Sequence, residues 1–335
     1  MEFFSNSEIL PIIFTFLMGL AIFVYVILDG YDLGVGIAMK YATPQERDIM
    51  MASIGPFWDA NETWLVFGVG ILLVAFPMAH GAILTALYLP AIIMSIGIAL
   101  RGVSFDFRAK AQANHKNRWD NCFIIGSTLT SLAQGYMLGS YITGFQNDIR
   151  YLLFNLLVAV CLAAGYLFVG SSWLIMKTSD KLQKKAVSWA RFSIWFTVAG
   201  MSMVSITTPL LSERIFNKWF SLPNFLLLMP IPMFTGVIII CIIIILNKLS
   251  VRGDRFSWIP FASGAVLFFL GFIGLAYSFY PYIVPEKMTI FEAASAPESL
   301  LIILIGALIV LPLIIGYTVF SYKVFSGNAD KLEYY

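Results

Sequence analysis

The residues able to move protons gather in the first third of this chain, inside sequence that is otherwise apolar. Gly55-Pro56-Phe57-Trp58-Asp59-Ala60-Asn61-Glu62-Thr63-Trp64 sets two carboxylates three residues apart, on one face of a helix. Such a pair, held within a membrane, can take up and release a proton, the property a relay requires. The competing reading is a capping box, with Asp59 at the N-cap and Glu62 at the third helical position. Length argues against it: a helix running only from Thr63 to Phe76 reaches about 21 Å, short of the hydrocarbon core. Starting near Met51, with Pro56 tolerated as a kink, the span reaches about 39 Å and carries Asp59 about 12 Å inward.

Two further sets stand nearby. Leu28-Asp29-Gly30-Tyr31-Asp32-Leu33-Gly34-Val35-Gly36 places Asp29 and Asp32 toward the inner end of the first apolar segment. They read either as wetted acids at a helix terminus or as buried carboxylates facing a partner helix or polar path. No strand precedes the glycines and no Lys-Ser/Thr follows them, so this is not a phosphate loop. Arg101-Gly102-Val103-Ser104-Phe105-Asp106-Phe107-Arg108 closes the third segment. There Arg101 and Asp106 suit an ion pair, against the plainer reading of flanking charge. No comparable set exists in the fourth to ninth segments, where the acids stay in loops (Asp148, Glu213, Glu286, Glu292, Glu298). That one-sidedness predicts a polar inlet from one face of the membrane rather than a path across it.

The elements that must hold these groups follow from composition. Of 335 residues, 59% are apolar and 12% charged, with a net charge of +2; a soluble domain carries about 25% charge. This excludes a cytosolic enzyme, a disordered regulator and a nucleic-acid binder. Apolar runs at about 9–39, 51–76, 81–101, 121–142, 151–176, 188–210, 224–247, 257–282 and 298–322 predict an all-α integral membrane protein with nine transmembrane helices in one polytopic domain, 1–335. With nine spans, 17 of the 21 Lys and Arg residues fall on the side of the C-terminus, which predicts an outer N-terminus and a cytoplasmic C-terminus. Met1-Glu2-Phe3-Phe4 lacks a basic region, so the first apolar segment is expected to remain as a helix. Glycines four apart, Gly30 with Gly34 and Gly135 with Gly139, predict close helix packing. Cys122, Cys161 and Cys241 read as buried inert thiols. His80 and His115 cannot build a multi-histidine site, so no metal site is expected from this chain alone.

The motifs at 28–36, 56–64 and 101–108, with Trp119-Asp120 and Tyr280-Pro281-Tyr282-Ile283-Val284-Pro285, resemble subunit II of the cytochrome bd-type quinol oxidases. The likeness runs in order from about residue 9 to 326, and the length fits the shorter, cyanide-insensitive-like branch. It implies two four-helix bundles plus a peripheral helix, and pairing with a homologous subunit I in a bacterial inner membrane. The complex would reduce O₂ to water with electrons from quinol. Two b-type haems and one d-type haem would be ligated axially by subunit I, leaving this chain to line a cytoplasmic proton inlet. Asp59 matches the family's channel carboxylate; Glu62 and Asp29 complete the expected pathway. Trp58, Asn61, Trp64, Asp32, Arg101 and Asp106 are expected to give interface or electrostatic support. The family leaves room for a quinone in this subunit and for small single-helix accessory subunits.

Two other classes compete. A proton-coupled secondary transporter would show inverted repeats and broken helices in matching halves, whereas the acids here share one half and one depth. A purely structural scaffold would have no use for buried acids.

Overall fold

The computed structural model describes residues 8–249 and 255–329. The chain runs α1 (Ile9–Ala38), a 3₁₀ turn (Met39–Tyr41), α2 (Pro44–Ile54), α3 (Trp58–Ala75), α4 (Pro77–Lys110), α5 (Ala113–Ile142), α6 (Ile149–Lys177), α7 (Asp180–Leu211), α8 (Glu213–Phe220), α9 (Asn224–Leu228), α10 (Pro230–Lys248) and α11 (Ile259–Phe279). A small hairpin follows, β1 (Tyr282–Val284) with β2 (Met288–Thr289), then α12 (Ile290–Ala293) and α13 (Pro297–Val324). Arg252 and Lys331, both counted in the charge asymmetry, lie outside the described residues, as does the Met1–Phe4 start.

Among the described residues, seven helical segments are long and apolar enough to cross a bilayer, and α2 with α3 make an eighth if taken as one broken span. The expected segment at 121–142 does form a long helix, α5. Its sequence is diluted by Ser127, Thr130, Ser131 and Ser140, all buried. Hydroxyls buried against protein lower the apolar signal that a lipid-facing helix would show.

The residues divide into two compact units. The first takes the chain up to Asp29, then Pro56–Tyr88 and Phe279–Ser326. Here α1 packs through Ala21 and Tyr25 on Trp64 of α3, with Leu311 and Ile314 of α13 closing the cluster. Ser295 ends α3 by donating its backbone N–H to the Ala75 carbonyl and its hydroxyl to the Val74 carbonyl, each at 2.8 Å. These are terminal carbonyls that the helix itself cannot satisfy. Thr289 and Glu292 form a reciprocal capping box on α12. The N–H and hydroxyl of Thr289 hold the Glu292 carboxyl below its usual range, so this cap is complete above the ordinary glutamate pKa and fades as pH falls through the lower folded value.

The second unit comprises Gly30–Gly55, Leu89–Ser278 and the chain from Gly327. Its centre is α6, packed on α5 and α7. Trp173, almost fully buried, stacks on Tyr31 with ring centres 4.3 Å apart and meets Phe261 at 5.4 Å. The glycine spacings have the predicted effect. A Cβ on Gly34 would sit 1.8 Å from the Tyr166 carbonyl oxygen, and Gly170 meets Gly34 in return. Gly135 and Gly139 of α5 likewise lie against the backbones of Ala159 and Asn155. Gly34→Ala is therefore expected to destabilise by about 3 kcal/mol, because backbone cannot yield as a side chain can. Thermal unfolding in detergent checks this, with Gly70→Ala as control, since a Cβ there meets nothing within 4 Å.

Four of the five acids assigned to loops start helices, while Glu286 lies in the turn between β1 and β2. Asp148 caps α6, while Glu213, Glu292 and Glu298 stand in the first turns of α8, α12 and α13, where exposed N–H groups favour negative charge. The Arg150 backbone N–H, with its guanidinium adding, holds the Asp148 carboxyl below its usual range. Cys122 and Cys161 are half-buried, but Cys241 is exposed on α10, so the reading of three buried thiols fails there. An apolar helix surface suits a small thiol as well as a core does.

Candidate functional site

One predicted feature of the Trp58–Trp64 segment is revised, and the capping box argued against above is absent. No single kinked helix runs from Met51: α2 ends at Ile54 and α3 begins at Trp58, with Gly55, Pro56 and Phe57 between them. Pro56 lacks the N–H needed to continue the ladder, and Phe57 leaves helical geometry (φ −120°, ψ −32°). Nor is Asp59 an N-cap. Phe57 holds that position without a side-chain cap, and Asp59 falls in the first turn of α3. With 18 residues, α3 reaches about 27 Å and carries Asp59 in its first turn.

The first unit gathers most of the expected pathway. Asp29 on α1 is completely buried. Asn61, also fully buried, donates its amide to the carbonyl of Leu28, the residue before Asp29, at 3.2 Å. It accepts the Tyr322 hydroxyl of α13 at 3.3 Å. Phe57 stacks on Tyr322 with ring centres 4.5 Å apart, fixing the start of α3 against α13. Trp64 is buried in the apolar cluster with Ala21 and Tyr25, and its indole N–H meets no acceptor among the described residues. Trp58 is half-buried, Glu62 is half-buried with one carboxylate oxygen enclosed, and Asp59 is exposed on this chain's own surface. At about 100° per residue, Glu62 lies between Asp59 and Asn61 around the helix. Polar groups thus pass from an exposed acid, through a half-enclosed one, to a buried amide bonded to the turn that carries a buried acid.

The second unit holds Asp32, Arg101 and Asp106. Asp32 and Arg101 are completely buried, and the Arg101 guanidinium stands 5.9 Å from the centre of the Phe123 ring. The expected pairing of Arg101 with Asp106 is not what the fold provides. Asp106 is exposed, five positions along α4 and about 140° around it.

The buried acid among the cations is Asp120 instead. Arg108 of α4 donates Nε to Asp120 and Nη2 to Asp48 of α2, the latter at 2.8 Å. Arg47 approaches Asp120 at 3.4 Å and donates to Asn117 and to the Met39 carbonyl. Lys116 completes the set 3.7 Å from Asp48. Asp120 and Arg108 stood within quoted motifs, but their position beside apolar runs read as flanking charge. Nothing in the spacing tells that α2 folds back over them.

The two histidines lie apart in the elements, His80 half-buried near the start of α4 and His115 exposed on α5. No cluster of three or more His, Cys, Asp or Glu suited to a metal occurs among the described residues.

Comparison with known proteins gives the chain its relatives. The chain is 27% identical to cytochrome bd-I ubiquinol oxidase subunit 2 of Escherichia coli strain K12, covering 97% of each chain. It is 26% identical to cytochrome bd ubiquinol oxidase subunit 2 of Bacillus subtilis strain 168, over 91% of this chain and 93% of that one. The fold is similar to a chain of the bd oxidase from Geobacillus thermodenitrificans, with a TM-score of 0.78 at 16% identity, covering 95% of this chain and 99% of that one. The model for cytochrome bd terminal oxidase subunit II matches residues 10–325. With the whole run of helices and the acidic turns of α1 and α3 inside that match, the chain belongs to the cytochrome bd terminal oxidase subunit II family, the second subunit of a membrane oxidoreductase complex.

Proposed function

We propose that this subunit carries protons inward from Asp59 through Glu62 to Asp29, delivering them to an oxygen-reducing centre held by subunit I. The observation that carries the reading is the stepwise enclosure from Asp59 to Glu62 to the Asn61–Asp29 pair of turns. Burying a carboxylate is costly and marks function by default, and the Trp64 N–H offers a donor that an ordered water can satisfy. The poverty of histidine supports a division of labour in which subunit I ligates two b-type haems and one d-type haem. Those haems supply the electron transfer to O₂; this chain's residues hold and pass protons. On this reading the two units act as one polytopic membrane domain, with nine spans if α5 and the α2–α3 pair both cross and the basic ends cytoplasmic.

The test is proton uptake by the assembled complex in liposomes. Asp29→Asn is expected to slow uptake at least severalfold during quinol oxidation while leaving the haem spectrum and the partner subunit in place. Uptake at the wild-type rate in that assembled variant overturns the pathway. Glu62→Gln is expected to act more weakly than Asp59→Asn, since Asp59 is the main carrier.

A further inference from the structure

Away from those acids, Arg191 of α7 closes the end of α10. Its Nε donates to the Leu246 carbonyl at 3.0 Å and Nη2 reaches the same oxygen. A guanidinium has five N–H donors, so three are left over. They border a cleft of about 230 Å³ lined by Arg191, Ile194, Trp195, Ile243, Leu246 and Asn247. Ile194 and Leu246 are buried and form its floor, while Arg191, Trp195 and Asn247 are exposed at its edge. No carboxylate lines it.

The exposed face of α7 here runs Lys184, Ser188, Arg191, Trp195, charged first and aromatic last, and Lys248 follows Asn247 at the end of α10. Both helices belong to segments able to span a bilayer. Cations giving way to tryptophan over about three turns mark the level where headgroups meet hydrocarbon. An apolar helix laid over this cleft would bury the spare guanidinium donors without acceptors, at a cost. A phosphate satisfies them.

We propose that the cleft is a binding site for an anionic phospholipid, with its phosphate on the spare donors of Arg191 and the Asn247 amide and its acyl chains along α7 and α10. Basic pockets between transmembrane helices bind such headgroups.

Native mass spectrometry of the assembled two-subunit complex tests this, with phosphatidylglycerol added against phosphatidylcholine. Asn247→Asp places a carboxylate in the cleft without touching the Arg191–Leu246 bond. It is expected to lower retention of phosphatidylglycerol about fivefold, the effect of roughly one surface charge, and to leave phosphatidylcholine unchanged. Arg191→Lys, which keeps the charge and loses the fork, is expected to fall between. Equal phosphatidylglycerol retention in wild type and Asn247→Asp overturns the proposal. So does loss of the partner subunit from Asn247→Asp with lipid retention unchanged, which would assign the cleft to the subunit interface.

Discussion

Replacing Asp59 by Asn is expected to cut quinol-dependent O₂ consumption by about a hundredfold, the lower end of what a positioned proton-transferring group contributes. Asn preserves the size and hydrogen-bonding character of the side chain and removes its ability to exchange a proton. Asp59 stands in the first turn of α3 on the exposed side, with no side-chain cap depending on it. Packing of Trp64, Asn61 and Phe57 on α1 and α13 should therefore survive. The expected signature is a fully assembled complex with normal haem absorption, slow turnover and recovery in Asp59→Glu. Normal turnover at neutral and alkaline pH would count decisively against the relay.

The second large effect is on stability. Asp120→Ala is expected to destabilise the subunit by about 3–5 kcal/mol, because it strands two arginines whose side chains are 9% and 12% exposed. The Arg108–Asp48 contact does not compensate, since Asp48 is 53% exposed and a pair with so wet a partner contributes little. Removing a stranded cation should recover part of the loss, so Arg47→Met in the Asp120→Ala background is expected to melt higher than Asp120→Ala alone. The melting temperature of the purified complex reads both. If Asp120→Ala melted with the wild type, the cluster would be a surface feature rather than a structural one.

How much of this was legible in the residues depends on the range of the interaction. Helix identity was, because apolar runs of span length leave few alternatives. Close packing at Gly34 and Gly135 was, because a four-residue glycine spacing has a direct steric meaning. The break ahead of Asp59 was not. Residue counting treats Pro56 as a kink in one rod, whereas the helix breaks at Gly55–Phe57, and α2 brings Asp48 to Arg108 and Arg47 to Asp120. That contact joins residues about 70 positions apart, beyond what periodicity reports. Arg101 and Asp106 show the converse error. Charges near in sequence looked paired, yet five positions of helix point them to different surroundings. Tyr322 was missed altogether, because a tyrosine in the last apolar segment gives no sign that it reaches Asn61.

That reach has a bearing on how the protein is made. The start of α3 is tied to the end of α13 by Tyr322, and the end of α3 to the residue two places before α13 by Ser295. More than 200 residues of chain intervene. A ribosome delivers the acidic turn early and its last partner more than 200 residues later. Until the final helix inserts, Asn61 lacks its tyrosine and α3 lacks its cap. Nascent chains halted before about residue 322 should therefore be recognised by membrane quality control as unfinished, even with every acidic residue already in place.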